Sequence, residues 1–156
     1  MIAGRFRAPE QEDAVPSMIT GALAGLIGTA AMTAAQTAEM RVTGRAPSTV
    51  PGRVASKLLR LKPQDDAALA RISIRMHWAH GMAQGTVRAL IGRLGLQGPT
   101  AAGAHFALMW SSDAMLYKAL GIAPWPWEWS AGELAPDVLH KALYAVATGT
   151  AYDRLS

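Results

Sequence analysis

The chain contains no cysteine. Disulfides, iron–sulfur clusters and zinc–thiolate centres are therefore excluded, and the redox state of its compartment leaves no mark on it. Also missing are the signatures of the common catalytic sites. No Gly-x-Ser-x-Gly elbow, P-loop, Gly-x-Gly-x-x-Gly turn or His-Glu-x-x-His helix occurs in the 156 residues. There is no internal repeat and no low-complexity tract, which sets aside solenoids and arrays. Lysine is scarce, with four against eleven arginines, a bias of GC-rich bacterial genomes.

One further absence is the most informative. Residues 14–38 run for 25 positions without a formal charge. About 20 mostly apolar residues in a helix cross the hydrocarbon of a bilayer, so the run predicts a membrane span. It is built from Gly, Ala and Thr more than from Leu, and small residues let helices approach closely. Gly21 and Gly25 form a Gly-x-x-x-Gly that Gly28 continues, and these three are expected to pack against another helix. The run exceeds the 7–15 residues of a signal-peptide core and follows an acidic patch (Glu10, Glu12, Asp13), so it reads as a retained span.

At this length a single domain is expected. The hydrophobic fraction of 51% is high for a soluble domain and low for a transporter, and it suits a bundle with some polar spans. Four helical spans are expected, near residues 17–40, 72–94, 99–122 and 131–152. The first and third are credible alone. The second and fourth carry Arg88, Lys141 and histidines, and survive in lipid only if neighbours shield them. Asp65 is placed to cap the second helix and Ser130-Ala-Gly-Glu133 fits a capping box for the fourth. The fold class is thus all-α, an integral membrane four-helix bundle.

Between spans one and two, residues 50–61 have helical periodicity. Val54, Leu58 and Leu61 fall on one side and Arg53, Lys57 and Arg60 on another, as in an interfacial helix whose cations meet lipid headgroups. The loop Pro124-Trp-Pro-Trp-Glu-Trp129 is expected to be extended and stiff, with Trp125, Trp127 and Trp129 as interface anchors or a docking surface. Eight of the fifteen Lys and Arg lie between Arg41 and Arg75, a block suited to anionic lipid rather than nucleic acid. The positive-inside rule then puts the first loop in the cytoplasm and both termini outside.

Each span carries polar residues at helical spacing, and such faces turn inward. Spans alternate in direction, so Glu39, His77, His80, Asp113, Asp137 and His140 all fall in the half of the bundle facing loops one and three. His105 falls in the other half, near the depth of Arg88. The six residues form the candidate site. Imidazole with carboxylate suits Fe, Mn, Zn or Ni, and paired histidines suit a tetrapyrrole. A closed hydrogen-bond network that specifies helix order is the competing reading.

The stretch Gly28-Thr-Ala-Ala-Met-Thr-Ala-Ala-Gln-Thr-Ala-Glu-Met40, the turn His77-Trp-Ala-His80, the run Ala104-His-Phe-Ala-Leu-Met-Trp110 and the tail from Tyr144 to Tyr152 resemble a group of small bacterial inner-membrane proteins with four spans, of the YagU type. The resemblance implies an integral membrane helical bundle. It implies no reaction, so no catalytic residue is carried over. The function expected is non-catalytic: an accessory or scaffold subunit in the bacterial inner membrane, with lipids and other membrane subunits or a second copy as partners and no nucleic acid. The alternative is a small protein binding a divalent transition metal or tetrapyrrole through the six-residue cluster. A proton-coupled permease ranks third, since the chain holds no inverted repeat.

Overall fold

The structure, a computed structural model, describes residues 14–156. The charged stretch before Ala14 lies outside the described residues. Five α-helices follow one another: α1 (Ala14–Thr43), α2 (Val50–Leu58), α3 (Asp66–Arg93), α4 (Gly98–Ala119) and α5 (Ala131–Leu155). A single 3-10 turn, Pro126–Glu128, interrupts the loop before α5, and no strand occurs among the described residues. The class is all-α.

Local chemistry accounts for the boundaries. The Asp65 carboxylate accepts the Ala68 amide at 2.6 Å, so α3 starts at Asp66, six residues before the span drawn from apolar character alone. At α5 the Ser130 amide donates to Glu133 Oε2 at 2.9 Å, completing the capping box. Gly121, at φ 59°, takes the left-handed conformation that glycine tolerates and ends α4 earlier than residue 122. The basic segment also stops short. Its helix ends at Leu58, and Arg60 adopts φ 54°.

The four long helices form a ring. α1 packs extensively against α3 and α5, α4 packs against α5 and less closely against α3, and α1 and α4 sit diagonally opposite. The α1 contacts are made by backbone. A Cβ built on Gly21 would lie 2.5 Å from the Gly85 carbonyl oxygen, and one built on Gly25 would lie 2.9 Å from Gly85 Cα. Gly28 faces α5, where a Cβ would meet the Thr148 side chain and lie 3.0 Å from the Tyr144 carbonyl oxygen. Only glycine permits such an approach, and the reward is dispersion contact along both helices. α2 lies across α3, with Gly52, Val54 and Ala55 buried and the Gly52 amide donating to Ser73 Oγ at 2.9 Å.

What fills the interior is unusual for a water-soluble bundle. Half of the buried apolar residues are alanine, and the largest fully buried side chains are Arg88, Tyr144, His105, Thr29 and Thr148. The large apolar side chains point outward. Ile19, Leu23 and Ile27 make a stripe on α1, and Ile74, Trp78 and Met82 make one on α3. Leu139, Leu143 and Val146 make a third on α5.

By length and composition, α1 is the one helix among the described residues apolar enough to cross a membrane, over Ser17–Thr43. The third span, expected to stand alone, does not meet that test. Gly103, His105, Ser111, Ser112 and Asp113 dilute the apolar character of α4.

Candidate functional site

The six candidate residues do not converge on one point. They separate into three groups, because α3 and α5 each have two neighbours to face. On α3, His77 turns to α1, where its Nε2 shares a 3.0 Å hydrogen bond with the Thr33 hydroxyl. His80, three residues on and about 60° round the helix, turns to α4. There its Nε2 lies 3.3 Å from Asp113 Oδ1, within charge-pairing distance but not aligned for a hydrogen bond. On α5, Asp137 faces α4, whereas buried His140 has Glu39 and Arg45 as charged neighbours besides Asp137. Glu39 is itself held by Arg45, whose Nη2 donates to Oε2 at 2.7 Å and whose Nε donates to the same carboxylate at 3.1 Å.

His80 and His140 were expected to share one group. They do not: His80 is paired with Asp113, and His140 belongs to the Glu39 side of the bundle. Among the described residues, no set of three or more His, Asp or Glu side chains is disposed to hold a metal ion.

The centre that does form is built on a residue outside the candidate set. Lys141 lies between two carboxylates, with Nζ 3.2 Å from Asp113 Oδ2 and 3.0 Å from Asp137 Oδ1. Two aromatic donors complete it. Trp110 Nε1 donates to Asp137 Oδ2 at 3.0 Å, and the Tyr117 hydroxyl reaches Asp113 Oδ2 at 3.4 Å. The Tyr117 ring also faces the ammonium at 5.3 Å. Asp113 is 3% exposed, so its charge is far from water and needs this company. The signal for Lys141 was present in the sequence as an Asp137–Lys141 pair at i, i+4.

His105 lies in the opposite half, fully buried against Tyr144 at a ring separation of 5.7 Å. The Tyr144 hydroxyl donates to the Gly81 carbonyl at 2.6 Å, tying α5 to α3 at the level where α1 approaches most closely. Arg88, also fully buried, donates to Asp153, and Tyr152 stacks against the guanidinium at 4.8 Å.

Of the three cations assigned to headgroups, Arg53 and Arg60 are exposed, while the Lys57 ammonium donates to the Leu120 carbonyl at the end of α4. A cation there complements the helix dipole. The tryptophan loop is not extended throughout. Glu128 accepts the Trp125 amide at 3.0 Å and bends Pro126–Glu128 into the 3-10 turn, which stacks the Trp125 and Trp127 rings 5.0 Å apart. Trp129 Nε1 donates to the Pro124 carbonyl at 2.9 Å, and Trp127 alone of the three stands largely free, at 75% exposed.

Comparison with protein-family models, with curated proteins and with solved structures finds no match for this chain.

Proposed function

We propose that the chain is a multi-pass membrane protein of the bacterial inner membrane, with α1, α3, α4 and α5 as its spans, and that it serves as a non-catalytic accessory or scaffold subunit. The observation that carries the membrane reading is the inverted distribution of side chains. Arg88, His105, Asp113, His140 and Thr148 are inside, while leucines, isoleucines and tryptophan line the outside of three helices. Water would reward the reverse arrangement. In a bilayer, polar groups must find partners inside the bundle and apolar groups can face lipid.

Only 28% of the apolar window of α1 is buried, which argues against the core helix of a soluble protein. Its backbone is nonetheless seated on α3 and α5, so removing it as a leader would strip the Gly81 and Gly85 faces bare. The spans after the first are less apolar, and their charges are supplied with partners: Lys141 with Asp113 and Asp137, and Arg88 with Asp153.

The scaffold reading rests on how closed the charged centre is. Each carboxylate around Lys141 already serves two or more donors, and what faces outward is apolar: the stripes on α1, α3 and α5, and Trp127. These suit lipid and neighbouring membrane subunits or a second copy. Fractionation tests the reading. The protein is expected in the membrane pellet after alkaline carbonate washing, and in a native-gel assembly larger than one chain after mild detergent. Recovery in the soluble fraction would refute the membrane reading, and a lone monomer would refute the scaffold.

A further inference from the structure

The segment from α2 into the following turn joins two parts of the fold at one end of the bundle. α2 is seated on α3, with Val54 and Ala55 buried and the Gly52 amide bonded to Ser73. Its last turn reaches α4, where the Lys57 ammonium donates to the Leu120 carbonyl. Val54 and Lys57 are therefore used within the fold, although a helical wheel sets them on the faces open to lipid. What stays open is a different set. Leu58, Leu59 and Leu61 are 42–67% exposed. Arg53, Arg60 and Lys62 are exposed as well, and they enter no ion pair among the described residues.

The backbone holds this set in place. Arg60 takes φ 54° and the Leu61 amide donates back to the Ser56 carbonyl at 2.9 Å, which closes a Schellman turn at the end of α2. Glycine is usual at the left-handed position of that turn, and an arginine there carries conformational strain. A role for its guanidinium in the folded protein would offset the strain. Depth fits such a role. Ser73 lies seven residues, about 10 Å, inside the start of α3 at Asp66. α2 therefore lies alongside the first turns of α3 rather than beyond them, where an interfacial helix meets headgroups. The tryptophan loop is at the same end, with Lys118 over the Trp125 ring at 5.9 Å.

We propose that the turn after α2 binds anionic phospholipid of the phosphatidylglycerol class. Headgroup phosphates meet Arg53, Arg60 and Lys62, and acyl chains cover Leu58, Leu59 and Leu61. This rests on the membrane reading above and adds which lipid this end selects. Charge complementarity carries the choice. Of the two carboxylates that follow, Asp65 and Asp66, the first is held by the Ala68 amide, so the cations prevail. Phosphatidylcholine brings a cation of its own and gains little here, whereas each Lys or Arg near the surface strengthens attachment to anionic lipid.

The test uses the full chain in nonionic micelles doped with phosphatidylglycerol or phosphatidylcholine, and follows thermal unfolding against lipid mole fraction. Phosphatidylglycerol is expected to raise Tm more than phosphatidylcholine, and added salt to shrink the difference. Arg60→Gly relieves the left-handed strain, so its Tm in undoped micelles should rise. The same variant should need roughly fivefold more phosphatidylglycerol for an equal shift. Arg53→Gln should weaken the response alike without the rise in undoped Tm. Arg93→Gln removes an exposed cation at the other end of α3 and should respond as wild type does. The proposal is overturned if the two lipids shift wild type equally, if Arg60→Gly and Arg53→Gln keep the full response, or if Arg93→Gln loses as much. Recovery of the chain in the soluble fraction after carbonate washing would remove the membrane reading and this proposal together. Equal lipid shifts in a chain that stays with the membrane would remove this proposal alone.

Discussion

Replacing Gly85 by alanine should destabilise the bundle, although alanine is the better helix former. A Cβ at this position would lie 2.7 Å from both Cα and N of Gly25. Comfortable carbon contacts are about 3.5–4.0 Å, so α1 and α3 must part by roughly 1 Å at their closest point. The Gly21 carbonyl oxygen is nearer still, and all three obstructing atoms are backbone, so no side chain can swing aside. Overpacking of this kind costs about 1–3 kcal/mol, against a gain of about 0.5–1 kcal/mol from removing glycine from a helix interior. The expected net loss is about 1–2 kcal/mol. Gly103→Ala on α4 is the matched control. Nothing lies within 4 Å of a Cβ there, so only the propensity gain remains. Reversible unfolding in mixed micelles, titrated with a denaturing detergent, should separate the two variants by the overpacking cost itself, about 1–3 kcal/mol, because the propensity gain is common to both. If Gly85→Ala is as stable as Gly103→Ala, the close approach of α1 and α3 is wrong.

Lys141→Met should cost about 3–5 kcal/mol in the same assay, because Asp113 and Asp137 lose the cation between them. Adding Asp113→Asn should recover part of that loss, and a Lys141→Met protein as stable as wild type would remove the network from the account. Ser130→Ala should cost about 0.5–1 kcal/mol and speed amide exchange over the first turn of α5, where Ser130 and Glu133 cap each other. Unchanged exchange at Glu133 would mean the cap contributes nothing.

The helices and their caps were legible in the sequence because each depends on neighbours a few residues apart. Asp65 and the Ser130–Glu133 pair act within one turn, and the structure starts α3 and α5 beside them. Depth was legible too. His105 lies with Tyr144 and Arg88 in the opposite half from Asp113, as alternation of helix direction requires. Facing was not legible. His77 and His80 share a stripe on a helical wheel, yet about 60° between them suffices to send one to α1 and the other to α4. The same holds for His140 against Asp137 and Lys141, and it dissolved the six-residue centre. Gly81 and Gly85 lie among His77, His80, Gln84 and Arg88, whose polar stripe masks them in the sequence. They form a second Gly-x-x-x-Gly, on α3, matching Gly21 and Gly25 on α1. The tryptophan loop misled for a local reason, since its alternating pattern hides the hydrogen bond from the Trp125 amide to Glu128 that bends it.

Cysteine labelling in intact cells tests the four-span bundle most directly, and the chain offers a clean background because it has no cysteine. Ser48→Cys places a thiol in the exposed loop between α1 and α2, and Gln97→Cys places one in the exposed loop between α3 and α4. With an impermeant maleimide applied from the periplasmic side, Gln97→Cys should label and Ser48→Cys should label only after the membrane is opened, as the positive-inside rule orients them. The reverse pattern would keep the spans and invert the orientation. Labelling of both sites from the same side of the membrane, or release of either variant with the soluble proteins, would contradict the four-span account.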